Sequence, residues 1–228
     1  MSWFFEMALA IVPAVLAITL HEAAHGYAAL ALGDTTAKDA GRLSLNPLRH
    51  VDRVGTLIIP GFLLVTQLLL PPHRVYFMFG WAKPVPIGAW RFKDPSRGMA
   101  LVAMAGPAMN FFLAWLGALA SQAVTNDIAS LFLGYFILTN LVLGLFNLLP
   151  IPPLDGGRVV VGLLPLELAR IWAQLERYGI LIVLGLVFLL PRLTDYDPVG
   201  SVLRTVLPWA FQTVFMLVGQ DLHGANLF

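Results

Sequence analysis

Six apolar segments of roughly membrane-spanning length dominate the chain, at about residues 3–32, 54–71, 99–123, 129–151, 173–191 and 199–219. A hydrocarbon core about 30 Å thick is crossed by about 20 helical residues. Inside it the backbone must satisfy its own hydrogen bonds, which leaves helices as the available form. The sequence therefore predicts an all-α polytopic membrane protein with about five to six transmembrane helices. Composition agrees. The chain is 58% hydrophobic and only 12% charged, against about 25% charged in a soluble domain. So few charges cannot clothe a water-facing surface. A net charge of +1 leaves no electrostatic footprint for nucleic acid. The absence of cysteine excludes disulfides and thiolate metal sites. The first apolar stretch has no basic lead and runs directly into the motif described next, so a retained span is expected, not a cleaved signal.

Two polar stretches, 33–53 and 72–98, separate the first three apolar segments. The second contains Gly80-Trp81-Ala82-Lys83-Pro84-Val85-Pro86, whose alternating prolines suit a small extended or β segment near 80–87. Residues 150–157, Pro-Ile-Pro-Pro-Leu-Asp-Gly-Gly, must interrupt any helix. No repeat and no stretch large enough for an appended soluble module is visible. The expectation is one integral-membrane domain over 1–228.

The strongest chemical signal is His21-Glu22-Ala23-Ala24-His25. On a helix, residues i and i+4 share a face, so both imidazoles can address one metal. The intervening glutamate is placed as a general base beside that metal. If the helix continues to Leu32, His21 lies about 16 Å from its end, within the apolar layer. Ionisable groups there are costly unless they bind something or line a wet cavity. A catalytic zinc takes three protein ligands and keeps one position open. The remaining histidines, His50, His73 and His223, lie in polar stretches or the tail and read as surface residues. Asp155 is the better third ligand. Spacing alone leaves it open between that role and a turn aspartate before two glycines.

His21-Glu22-Ala23-Ala24-His25, Gly106-Pro107-Ala108-Met109-Asn110 and the stretch from Asn147 to Leu154-Asp155-Gly156 resemble the site-2 protease family of intramembrane metalloproteases. The runs Gly33 to Leu48 and Gly80 to Pro86 resemble its compact prokaryotic branch. The resemblance implies a three-helix catalytic core within about 1–160 and accessory spans at about 165–220. It implies one zinc ion held by His21, His25 and Asp155, with Glu22 as general base. By the same resemblance Asn147 holds substrate or the oxyanion. Asn110 matches an asparagine of the middle core helix, with an interhelical hydrogen bond as the alternative. The family often carries PDZ or CBS domains, for which this chain has no room.

Parity gives an independent constraint. If every apolar segment crosses, His21 and His25, toward the end of the first span, lie opposite Asp155, just after the fourth. The conflict disappears if 54–71 does not cross. That segment contains Pro60-Gly61 and ends at Pro71-Pro72, which suits a re-entrant or interfacial piece. Residues 33–98 then share one side and carry nine of the fourteen Lys and Arg residues. Positive charge marks the cytoplasmic face, so the active-site end is expected there. The expected setting is a prokaryotic cell (inner) membrane. The expected partners are the lipid bilayer, membrane-anchored protein substrates and a regulatory membrane protein. The function expected is regulated intramembrane proteolysis. Weighed against it are a metal or solute transporter and a catalytically silent zinc-binding scaffold.

Overall fold

The computed structural model describes residues 3–69 and 80–220. Helix α1 is Trp3–Ala31. A π-helical turn, Arg53–Ile58, leads into α2, Ile59–Leu69. Helices α3, Pro95–Ser121, and α4, Asp127–Asn147, follow. A short α5, Asp155–Leu163, precedes α6, Leu166–Thr194, which contains a 3-10 turn at Leu175–Tyr178 and a π-helical turn at Gly185–Leu189. The last helix is α7, Pro198–Leu217.

The helix starts have local causes. Asp94 caps α3 by accepting from the Arg97 amide, with Pro95 at the first helical position. Asn126 caps α4 by accepting from the amides of Ile128 and Ala129. Asp52 caps the π-helical turn through the amides of Val54 and Gly55.

Among the described residues four helices are long and apolar enough to cross a membrane: Leu9–Ala31, Pro95–Ser121, Asp127–Asn147 and Leu166–Thr194. This is fewer than the five to six expected from the apolar segments. Among the described residues the segment at 54–71 gives a shorter apolar helix, Arg53–Gln67. Helix α7 has the length of a span, but Arg204 and Gln212 dilute its hydropathy.

Helices α1, α3 and α4 pack on one another. Ala114 and Ala118 of α3, Ile137 and Leu141 of α4, and Val214 and Phe215 of α7 form a buried cluster. The alanines let the helix backbones approach closely, the usual arrangement between membrane helices.

The polar connections fold over the C-terminal half of α1. No strand occurs among the described residues, and the extended or β segment expected near 80–87 is irregular backbone there. The amides of Trp81 and Lys83 donate to the carbonyls of Gly55 and His50 at 3.1 and 2.8 Å. The Thr56 hydroxyl and Arg42 guanidinium donate to the Trp81 and Lys83 carbonyls. Alternate residues thus face one inner side, as in extended backbone. Their partners are turns and side chains, not a second strand. Pro84 and Pro86 strip N–H donors from the other edge.

A fully buried carboxylate fixes this layer to α1. Asp34, three residues past the helix end, accepts from the Thr36 amide at 2.9 Å, the Thr36 hydroxyl at 2.5 Å and the Gly88 amide at 2.6 Å. Arg91 Nε stands 3.7 Å away. Burial alone would push the Asp34 carboxyl up, but these hydrogen bonds and the guanidinium together hold it below its ordinary value. A depressed native value stabilises the fold at neutral pH, and the contribution fades as pH falls through that value. Asp34→Asn should cost about 1–3 kcal/mol at pH 7. The difference from wild type should shrink below about pH 4. Thermal unfolding in detergent at both pH values measures it.

Candidate metal centre

Helix α1 turns His21 and His25, one turn apart, toward α3. Their rings meet edge to face with centroids 4.7 Å apart. Gly106 of α3 lies directly against them. A Cβ there would stand 2.5 Å from both His21 Cε1 and His25 Nε2, so only glycine lets α3 pass this close. Asp155 arrives from the other side. After α4 ends at Asn147, residues 148–154 turn back and α5 opens on Asp155. A Cβ at Gly156 would collide with the carbonyls of Leu148 and Leu149, which explains the glycine next to the aspartate.

The three side chains converge. Asp155 Oδ2 lies 3.1 Å from His21 Nε2 and 3.3 Å from His25 Nε2, and the two Nε2 atoms are 3.1 Å apart. All three residues are buried. Asp155 therefore joins the histidines in a group that could hold a metal ion.

Hydrogen bonds fix which nitrogens are bare. His25 Nδ1 lies 2.7 Å from the Val102 carbonyl, which can only accept, so this nitrogen carries the proton. The assignment for His21 runs through two asparagines. Asn140 Nδ2 donates to the Phe136 carbonyl at 2.9 Å, which turns Asn140 Oδ1 toward Asn110. Asn110 Nδ2 donates to that oxygen at 2.9 Å, which turns Asn110 Oδ1 toward His21 Nδ1 at 2.6 Å. His21 Nδ1 therefore donates, and its Nε2 is a lone pair.

Two neutral imidazole nitrogens and a carboxylate oxygen thus point at one spot, all within 4.8 Å of one another. Neutral imidazole nitrogens and a carboxylate oxygen placed this close form a group that could hold a metal ion. Nitrogen and oxygen donors with Nδ1–H held by carbonyl oxygens suit zinc.

Glu22 follows His21 on α1 and is partly exposed. Its Oε2 accepts from the Val85 amide at 3.1 Å, which ties the carboxylate to the extended segment. Asn110 is fully buried, and both ends of its amide are engaged with His21 and with Asn140 and the Ala17 carbonyl. Asn147 closes α4 and donates back to the Leu143 carbonyl at 3.0 Å. It makes no hydrogen bond to the metal cluster among the described residues. His50, expected at the surface, is instead buried, with Nε2 2.8 Å from the Ser44 carbonyl. His73 and His223 lie outside the described residues.

Sequence reasoning missed Asn140, the Val102 carbonyl, the Val85 amide and Asp34. Asn140 had a signal: it precedes Asn147 by seven residues, two turns of an otherwise apolar helix. The backbone groups had none.

The model of peptidase family M50 matches residues 116–190. The chain is 38% identical over 186 residues to "Putative zinc metalloprotease YwhC" of Bacillus subtilis (strain 168), covering 77% of this chain and 78% of that protein. It is 30% identical over 219 residues to "Putative zinc metalloprotease Rip2" of Mycobacterium tuberculosis (strain H37Rv), covering 93% of this chain and 73% of the relative. The Rip2 protein of Mycolicibacterium smegmatis is 31% identical over 179 residues, or 75% of this chain, which spans 63% of that relative. No solved structure matches the chain.

The relay makes a graded prediction for metal affinity. Asn110→Ala removes the acceptor that holds His21, and should weaken zinc binding about 10–100-fold in chelator competition. Asn140→Ala should act in the same direction and less. Gly106→Ala drives a methyl group into both imidazoles and should abolish stoichiometric zinc loading.

Proposed function

We infer that the chain, which belongs to peptidase family M50, the site-2 protease family, is an intramembrane zinc metalloprotease. One observation carries the reading of its site: three buried lone-pair donors converge next to a glutamate inside an apolar helix bundle. In this reading His21, His25 and Asp155 hold one zinc ion, and Glu22 is the general base.

Zinc, when bound, supplies Lewis acidity toward water and the scissile carbonyl. The protein does the rest. Glu22 takes a proton from the attacking water and delivers it to the leaving amine as the C–N bond breaks. The Val85 amide holds the Glu22 carboxylate in place. Asn147 spends one amide hydrogen on Leu143, and the second donates to the developing oxyanion. Such a contact is worth about 3–4 kcal/mol. Asn110 acts through His21 as a positioning residue. The substrates are membrane-anchored proteins. A substrate helix must unwind first, and unwinding frees N–H groups that need acceptors. The outer edge of 82–86 offers carbonyl oxygens at Ala82 and Pro86, so the substrate adds to it as an extended strand.

The whole chain is read as one domain, with the catalytic core at about 1–160 and accessory helices at about 165–220. The helical run Arg53–Gln67 lies at the interface or re-enters without crossing, and the active-site end faces the cytoplasm of a prokaryotic inner membrane. The basic residues of 33–98 support this orientation.

Two experiments test these statements. Glu22→Gln should abolish cleavage of single-span substrates in the membrane proteome while keeping one zinc per chain. A transporter would instead keep a gradient-driven flux. The chain has no native cysteine, so single cysteines report topology cleanly. Cysteines at Leu45 and Lys93 should label from the cytoplasmic side alike, and one at Arg192 from the opposite side. Labelling of 45 and 93 from opposite sides would show that the segment between them crosses.

A further inference from the structure

The three residues of the metal cluster are not held alike. His21 and His25 stand one turn apart on a long helix, and their Nδ1 atoms face Asn110 and the Val102 carbonyl. Asp155 follows the turn 148–154 and opens the nine-residue α5. Its position is therefore set by whatever fixes that turn.

Three glycines pack against it. A Cβ at Gly156 would collide with the Leu148 and Leu149 carbonyls, and one at Gly157 would stand 2.7 Å from the Pro152 nitrogen. The third glycine belongs to α6, which supplies no ligand. A Cβ at Gly179 would stand 2.5 Å from Pro153 Cδ and 2.6 Å from the Pro153 nitrogen. Gly179 has φ −56° and ψ −42°, angles that any residue adopts in a helix. Close approach, not backbone freedom, accounts for a glycine there. The turn thus lies between α5 and α6 with no slack on either side, and a shift of α6 against Pro153 is passed to Asp155, two residues on.

A second contact crosses beside the first. Arg158 donates from Nε and Nη2 to Glu176 Oε1 of α6 at 3.1 and 2.5 Å. Residues three apart on a helix are neighbours, so Glu176 and Gly179 form one contact face, and Asp155 and Arg158 lie together on α5. Helix α6 therefore brackets Asp155, touching Pro153 before it and Arg158 after it. It has few other holds. Its buried residues are Ala169, Gly179 and Val183, and 11% of its apolar stretch lies inside the protein, against 44% for α1 and for α3. A helix that mostly faces its surroundings is thus closely fitted where it meets the turn that carries Asp155.

We propose that α6 is the outer support of the metal centre. Gly179, Glu176 and Arg158 are positioning residues for Asp155, and through them α6 sets the metal affinity without supplying a ligand. The proposal rests on the zinc site read above and gives an accessory helix a part in it.

The test uses the full chain in lipid nanodiscs. Chelator competition measures zinc affinity, and the visible absorption of cobalt put in place of zinc reports coordination geometry. Gly179→Ala drives a methyl group against Pro153. It should weaken zinc binding about 10–100-fold, the range for groups that orient a ligand, and should alter the cobalt spectrum. Gly185→Ala, on the same helix where a Cβ would meet nothing within 4 Å, should leave both as in the wild type. Glu176→Ala should weaken zinc binding by up to about fivefold, as for a partly exposed ion pair. Exchanging the charges, Arg158→Glu with Glu176→Arg, should restore it. This exchange decides the matter even if Gly179→Ala fails to fold. Unaltered affinity and spectrum in Gly179→Ala overturn the support role. An equal loss in Gly185→Ala, or a loss in the exchanged pair as large as in Glu176→Ala, does the same. A wild-type chain that takes up no zinc strikes the metal reading itself, and the support role with it.

Discussion

The structure turns on three donor atoms that converge on one point inside an apolar bundle. His21 Nε2, His25 Nε2 and Asp155 Oδ2 converge from two helices and a reversed chain. In a low-dielectric interior that arrangement is favourable around a cation. Everything nearby serves to keep it so. The Phe136 carbonyl orients Asn140, Asn140 orients Asn110, and Asn110 holds the proton of His21 on Nδ1. The Val102 carbonyl does the same for His25 in one step. A carbonyl oxygen cannot donate, so each chain ends on a partner that admits a single answer. The ligand set is thereby fixed by backbone atoms of α3 and α4, helices that hold none of the three ligands.

The same logic explains the irregular backbone. Chain segments without helical hydrogen bonds are tolerated at membrane depth only when protein covers them. Residues 80–88 meet that condition through Gly55, His50, Arg42, Glu22 and Asp34. One of these partners is Glu22, so this backbone segment and the carboxylate proposed as general base share a hydrogen bond. Asp34 then ties the far end of the segment to the C-terminus of α1. The helix that carries the metal ligands also sets where a substrate can lie.

Much of this was legible in the sequence, and unevenly so. The His21-Glu22-Ala23-Ala24-His25 spacing encodes its geometry locally, because a helix guarantees that i and i+4 meet. Asp155 was open between ligand and turn on spacing alone, and only the family resemblance singled it out. The helical class followed from composition. The count of spans did not, because an apolar run such as 54–71 and a mixed one such as 199–219 look alike until length and polar content are measured along an actual helix. His50 misled for a related reason: a polar stretch suggests exposure, yet here the stretch folds back over α1 and buries the ring. Long-range partners that are backbone atoms, such as the Val102 carbonyl and the Val85 amide, leave no mark in residue identity at all.

That division bears on what each part of the molecule does. Groups that make the chemistry are side chains at fixed spacing, so they announce themselves. The backbone edge proposed to receive an unwound substrate is made of carbonyls, which form no motif. Alternating prolines are the partial exception. Pro84 and Pro86 remove two N–H donors from the outer edge of 82–86, where Ala82 keeps its own. An unwound peptide has backbone donors to place against the carbonyls of that edge and an acyl chain has none.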